Sequence, residues 1–224
     1  FRHRVMFPIA DERGRIVGFG GRALGEARAK YLNTSDTDLF HKGELLYNLH
    51  RAAGPARQQR TIVLAEGYMD VIALAQAGLE HAVAPLGTAV TERQLQTLWR
   101  FADAPIVCLD GDRAGLAAAL RAAERALPLM RGPQSLRFAV LPDGEDPDSY
   151  LRRHGAEALA EIVDELDAPT PRHERRNAPA GLVRARDLHY TYPGSGRELL
   201  GGVDLEASSG LTSTSSEPLS AMSS

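Results

Sequence analysis

The sequence predicts an α/β chain, a parallel-sheet domain flanked by helices and preceded by part of a basic α+β subdomain. Three observations predict it. From Arg60 onward, short unbroken apolar runs alternate four times with Ala/Leu-rich stretches, the pattern of buried parallel strands and their crossover helices. Ahead of them, residues 5–22 (VMFPIADERGRIVGFGGR) read as two strands around a turn at Asp11-Glu12-Arg13-Gly14. Charge divides at the same place: residues 1–60 carry 11 basic and 6 acidic side chains, and residues 61–170 carry 9 and 17.

Taken in order, the hairpin comes first, with Gly18, Gly20 and Gly21 letting its backbone approach a neighbour closely. The strand–helix units follow: 61–65 with 69–78, 81–84 with 91–101, 105–110 with 113–130, and 136–141 with 148–166. Ligands of such sheets sit beyond the carboxyl ends of the strands. Residues 168–181 (APTPRHERRNAPAG) read as a linker, and 182–210 alternate like strands around Pro193-Gly194. Of the last 17 residues 8 are serine and one is charged, so the tail, 211–224, is expected to be disordered.

Composition narrows the class. The single cysteine, Cys108, excludes an intramolecular disulfide and a Cys-based zinc site, which makes a reduced cytoplasm the expected compartment. No apolar run reaches the roughly 18 residues of a membrane span, so no membrane partner is expected. A chain starting at Phe1 reads as a piece of something longer. Of 26 basic residues other than histidine, 24 are arginine; Lys30 and Lys42 are the two lysines.

The strand ends are acidic. Glu66 follows the first apolar run, Asp110 and Asp112 the third, and Asp143, Glu145, Asp146 and Asp148 the fourth. Glycine inside Asp110-Gly111-Asp112 permits a turn that aims both carboxylates at one site. Asp146-Pro147-Asp148 repeats the spacing. Hard oxygen ligands without His or Cys suit Mg²⁺ or Mn²⁺. A plainer role is open for Asp112 and Asp148, each of which precedes a helix and could simply cap it.

These residues resemble a family. EGYMD (66–70), the strand–DGDRAG unit (110–115) and PDGEDPD (142–148) are similar to the topoisomerase–primase (TOPRIM) core in its bacterial replicative primase form. The segments 4–22, 30–49 and 84–98 resemble primase segments too, so the likeness covers about residues 1–165. It implies a TOPRIM-type domain over 60–167, behind a partial basic N-terminal subdomain over 1–59. It also implies DNA primase activity: short RNA primers made from NTPs on a single-stranded DNA template by two-metal nucleotidyl transfer. Glu66, Asp110 and Asp112 would be catalytic, and Glu66, Asp70, Asp110, Asp112, Asp146 and Asp148 would hold two Mg²⁺ or Mn²⁺ ions, with no zinc site. Arg22, Lys30 and Lys42 fall on the family's functional basic positions, and Asn33 on a polar one beside them. That both lysines lie in segments expected to contact phosphate suggests that chemistry selected them.

Other residues read as structure. Cys108 is expected to be a small buried hydrophobe, and Trp99, with Leu95 and Leu98, part of the core. His41 is either a substrate contact or a plain surface histidine, and Gly87 either a close approach or a tight turn. The family pattern also departs in places: this sequence lacks the zinc-binding domain and the region that binds the replicative helicase. Residues 182–210 resemble the first strands of an ABC-transporter ATPase, without the phosphate loop that should follow. Two other functions stay open, a TOPRIM nuclease or topoisomerase-like enzyme and a truncated module that binds metal and nucleic acid without polymerising.

Overall fold

The computed structural model describes residues 1–87, 89–167, 182–191 and 198–208. The chain divides into two units, Phe1–Pro171 and Arg172–Ser224. The first unit begins with β1 (Arg4–Ala10), β2 (Ile16–Ala23) and β3 (Tyr31–Asn33), an antiparallel sheet in the order β1-β2-β3. Then come α1 (Leu49–Gln59), β4 (Val63–Leu64), α2 (Tyr68–Gln76), β5 (Ala82–Val83), α3 (Glu92–Leu98), β6 (Ile106–Leu109), α4 (Arg113–Ala126), β7 (Arg137–Val140) and α5 (Pro147–Asp167). All four predicted strand–helix units are present. The third strand, β3, and the helix α1 were not expected from the sequence.

Strands β4 to β7 form one parallel sheet in the order β5-β4-β6-β7. Successive side chains point to opposite faces, and the apolar runs fill two cores. Leu64, Val83, Val107 and Leu109 face one core, with Leu49, Ala52 and Ala56 of α1, Leu95 and Leu98 of α3, and Ala119 and Ala122 of α4. Val63, Ala82, Ile106, Cys108 and Ala139 face the other, with Val71 and Leu74 of α2 and Leu159 and Val163 of α5. This two-sided burial is why the strands carry no polar alternation. Cys108 is fully buried, and Trp99 lies in the first core with its indole N–H donating to Ser135 O at 2.9 Å, both as expected.

A third, smaller core joins the two sheets. Phe7 and Ile9 of β1 meet Phe40, Tyr68 of α2 and Leu86. Phe7 and Tyr68 stack with ring centroids 5.0 Å apart. The hairpin glycines belong to this packing: a Cβ on Gly20 would stand 2.6 Å from the Tyr68 ring, and one on Gly18 2.9 Å from Phe40. The close neighbours expected at Gly18 and Gly20 are therefore aromatic side chains of the chain itself.

In the second unit β8 (Leu182–Thr191) pairs antiparallel with β9 (Glu198–Ser208), in line with the alternation read there. The expected linker (168–181), the residues between the two strands and the serine-rich tail (211–224) lie outside the described residues. Among the described residues no helix is long and apolar enough to cross a membrane.

Candidate active site

Because β4, β6 and β7 are parallel neighbours, their carboxyl ends open on one edge of the sheet. Glu66 follows β4, Asp110 follows β6, and the loop from Leu141 to Asp146 follows β7. The last two segments are laced together. Gly111 N–H donates to Glu145 O at 2.8 Å and Gly144 N–H to Gly111 O at 2.9 Å. The approach is so close that a Cβ on Gly111 would lie 1.9 Å from Pro142 O. Glu145 is buried, accepts the Ser149 hydroxyl at 2.5 Å and pairs with Arg153, so its carboxylate is committed to holding the loop.

Asp110 is the centre of the rim. Its Oδ1 is buried without a hydrogen-bond partner. Burial, and then the charges of Glu66, Asp146 and Asp112, push its carboxyl up to about 7, while Lys30 pulls the other way. Asp70 on α2 is also pushed up to about 7, by burial first and then by Asp110, Asp146 and Glu66; its Oδ2 accepts Gly67 N–H at 2.9 Å. Glu66 is raised by burial and by Asp112, against the opposing Asp110 N–H that donates to its Oε1 at 3.2 Å. Asp70, carried on a helix rather than at a strand end, is thus electrostatically part of the rim.

The remaining acids have structural duties as well. Asp112 is exposed and caps α4, accepting Gly115 N–H at 2.7 Å, as the plainer reading expected. At α5 that reading needs correction. The capping residue is Asp146, whose Oδ1 accepts Ser149 N–H at 2.6 Å while Ser149 Oγ accepts Asp146 N–H at 2.9 Å. Pro147 takes the first helical position, where its missing N–H costs nothing, and so moves the cap one acid upstream. Asp148 lies inside the first turn and pairs with Arg152 at 2.8 Å.

The donor set fits a divalent cation. Among the described residues no three His, Cys, Asp or Glu side chains are drawn together as a finished metal cage. The fit rests instead on Asp110, a carboxylate oxygen aimed into a cluster of acids with no proton donor to satisfy it. A hard cation supplies that missing partner.

The basic sheet meets this rim through one of its faces. Cross-strand partners share a face, so Phe7, Gly20 and Asn33 lie together over Tyr68, and Arg22 with Tyr31 continue the same face. Tyr31 feels the charge of Arg22 and the opposing charges of Asp70, Asp146 and Asp148. Lys30, exposed, sets its ammonium 5.9 Å from the centre of the Tyr31 ring. Its backbone is fixed: Lys30 O accepts Ala23 N–H at 2.9 Å and an Arg4 guanidinium N–H at 3.1 Å. Asn33 is occupied at both ends of its amide, accepting the Tyr68 hydroxyl at 2.6 Å and donating to Leu86 O at 2.9 Å.

Lys42 sits on another loop, where buried Gln94 donates to Lys42 O and Leu45 O at 3.0 and 2.7 Å. The closeness to the acids seen at Lys30 is not seen at Lys42 among the described residues. His41 is exposed, and Gly87, at φ 76°, turns the chain beside Asn33. The residue that sequence reasoning missed is Tyr31, although the period of two that places Arg22 and Asn33 toward the rim also places the residue paired with Arg22 there.

Comparison with known proteins agrees with this geometry. Residues 1–53 match the family model for the DNA primase catalytic core, N-terminal domain, and residues 63–151 match a Toprim-like model, which implies divalent-metal binding. The chain is 54% identical over 159 residues to the DNA primase of Escherichia coli K12, covering 71% of this chain and 27% of that protein. It is 49% identical over 169 residues to that of Pseudomonas aeruginosa, covering 75% and 26%. It thus spans about a quarter of the curated relatives it matches. Among solved structures, a DNA primase domain from Pseudomonas aeruginosa aligns with TM-score 0.70 and 49% identity over 74% of this chain and 52% of that one. A DnaG primase catalytic domain bound to ssDNA aligns with TM-score 0.68 and 52% identity over 74% and 53%. With a three-stranded sheet and a Toprim sheet matched in order, residues 1–53 and 63–151 correspond to part of the N-terminal domain and to the Toprim domain of the bacterial DnaG primase catalytic core.

Proposed function

We propose that this chain carries the metal- and nucleotide-handling part of a DNA primase, which makes short RNA primers on single-stranded DNA from NTPs. The observation that carries this reading is the meeting of two opposite surfaces: acids from three adjacent parallel strands, centred on the unpartnered Asp110 oxygen, face Lys30 and Arg22.

Two bound divalent ions, Mg²⁺ or Mn²⁺, would activate a primer 3′-hydroxyl and neutralise charge developing at the α-phosphate. Glu66, Asp110 and Asp112 would hold them, with Asp70, Asp146 and Asp148 around the set. Glu66 and Asp110 sit on strand ends, and Gly111 locks the Asp110 turn against the next loop, so the ligands are held in place before substrate arrives. Arg22 and Lys30 would bind the triphosphate from the opposite side, and Lys42 the nucleic-acid backbone. Asn33, with both amide ends used, would act by fixing β3 rather than by touching nucleotide. The relative bound to ssDNA supports single-stranded DNA as template.

Primer synthesis by the whole chain on a single-stranded DNA template, with NTPs and Mg²⁺ or Mn²⁺, tests the reading. Metal-dependent RNA synthesis that Asp110→Ala abolishes supports it. Unchanged synthesis in Asp110→Ala, or failure of the wild-type chain to bind either ion, overturns it. Metal-dependent nicking without incorporation would mark a Toprim nuclease instead.

A further inference from the structure

We infer that Tyr31 is the stacking platform for the base of the incoming nucleoside triphosphate, an inference that rests on the function proposed above. Its position carries the argument. On the inner face of the basic sheet, Phe7 and Ile9 are buried and Asn33 is tied to Tyr68. Tyr31 lies beyond that packed zone, paired with Arg22, and leaves 39% of its surface open.

Among the other large apolar residues exposed on this sheet, alternation puts Met6, Phe19 and Leu32 on the opposite face, away from Tyr68, whereas Val5, paired with Arg22, shares the face of Tyr31 but has no ring to stack. Tyr31 is therefore an open aromatic ring set at the meeting of the cations and the acids.

The ring is also held. Its inner side meets Tyr68 at 6.3 Å between centroids, tilted by 48°. Tyr68 is itself pinned by Phe7, Tyr47 and Asn33. Arg4 and Ala23 fix the carbonyl of the preceding residue, Lys30. An aromatic ring held open next to a cation is the arrangement that stacks a base while the phosphates are neutralised beside it. Lys30 and Arg22 flank the ring, and the carboxylates of Asp70, Asp146 and Asp148 act on it across the site. A triphosphate reaching from the cations toward metal on the acids leaves its base at Tyr31.

The test compares ATP with inorganic tripolyphosphate, which keeps the phosphates and lacks the base, in Mg²⁺ titrations of the whole chain by calorimetry. Tyr31→Ala is expected to weaken ATP about 5- to 100-fold and to leave tripolyphosphate unchanged; Tyr31→Phe, which keeps the ring, is expected to restore ATP affinity. Where primer synthesis is measured, KM for NTP rises in Tyr31→Ala more than kcat falls. Equal loss of ATP and tripolyphosphate would overturn the inference, because it marks a structural role. Unchanged ATP affinity with weakened binding of a dT oligonucleotide would overturn it too, by assigning the ring to the DNA strand. Wild-type chain that binds neither ATP nor tripolyphosphate overturns the proposed function itself.

Discussion

The Tyr68 hydroxyl donates a 2.6 Å hydrogen bond to Asn33 Oδ1, and through it a helix of the parallel sheet holds a strand of the basic sheet. The Asn33 amide passes the restraint on to Leu86 O at 2.9 Å. Three segments far apart in sequence are thereby set in register around one side chain.

Removing that hydroxyl leaves a half-buried amide oxygen unsatisfied while the stacked ring stays in place. Tyr68→Phe is expected to cost about 1–2 kcal/mol, read by urea denaturation. Asn33→Ala removes the same bond from the other end, so the double variant should lose less than the sum of the two. Strict additivity would show that the bond couples nothing.

Gly111 makes a harder demand. A Cβ there would lie 1.9 Å from Pro142 O and 2.3 Å from Leu141 O, both backbone atoms that no rotamer change moves. Gly111→Ala is expected to destabilise the chain by about 3 kcal/mol or more and to abolish Mn²⁺ binding, since the Asp110 turn and the Pro142 loop must separate. Gly25, with nothing within 4 Å of its would-be Cβ, is the control. Gly25→Ala should stay within about 0.5 kcal/mol of the parent.

The acids also fix a pH dependence. Asp70 and Asp110 are raised to about 7 in the folded chain from an ordinary 3.8. The folded state therefore binds protons more tightly than the unfolded state, and stability falls as pH rises from about 4 through 7. In EDTA the melting temperature is expected to drop between pH 5 and pH 8. Saturating Mg²⁺ or Mn²⁺ should raise it most at pH 8, where metal meets the least competition from protons. Asp70→Asn should raise the metal-free melting temperature at pH 8.

What the sequence makes legible, and what it hides, follows from the range of each signal. The parallel strands are legible because burial on both faces writes itself as unbroken apolar runs such as Ile106–Leu109. Helix α1 is hidden because LHRAAGPARQQ contains Gly54-Pro55 and starts after Asn48, which has a left-handed backbone and no side-chain cap. Strand β3 is three residues long and, among the described residues, pairs only with β2. At the site, the acids at Glu66, Asp110 and Asp112 follow directly from strand ends. The role of Asn33 does not, because its partners lie 35 and 53 residues away. Asp146 and Asp148 were legible as a pair, but which one caps the helix depends on where Pro147 sits in it.

Asp112 separates the structural duty of an acid from its chemical one. One carboxylate oxygen caps α4 through Gly115 N–H, which leaves the other for a cation. Asparagine caps helices as well as aspartate does but carries no charge, so Asp112→Asn should keep stability within about 0.5 kcal/mol while weakening Mn²⁺ binding. Alanine removes both functions, and Asp112→Ala should lose about 1 kcal/mol in addition to the metal. Denaturation and Mn²⁺ titration on the same two variants give the answer. If asparagine retained full metal affinity, Asp112 would be a cap and nothing more, and the metal set would contract to Glu66, Asp110 and the acids around them.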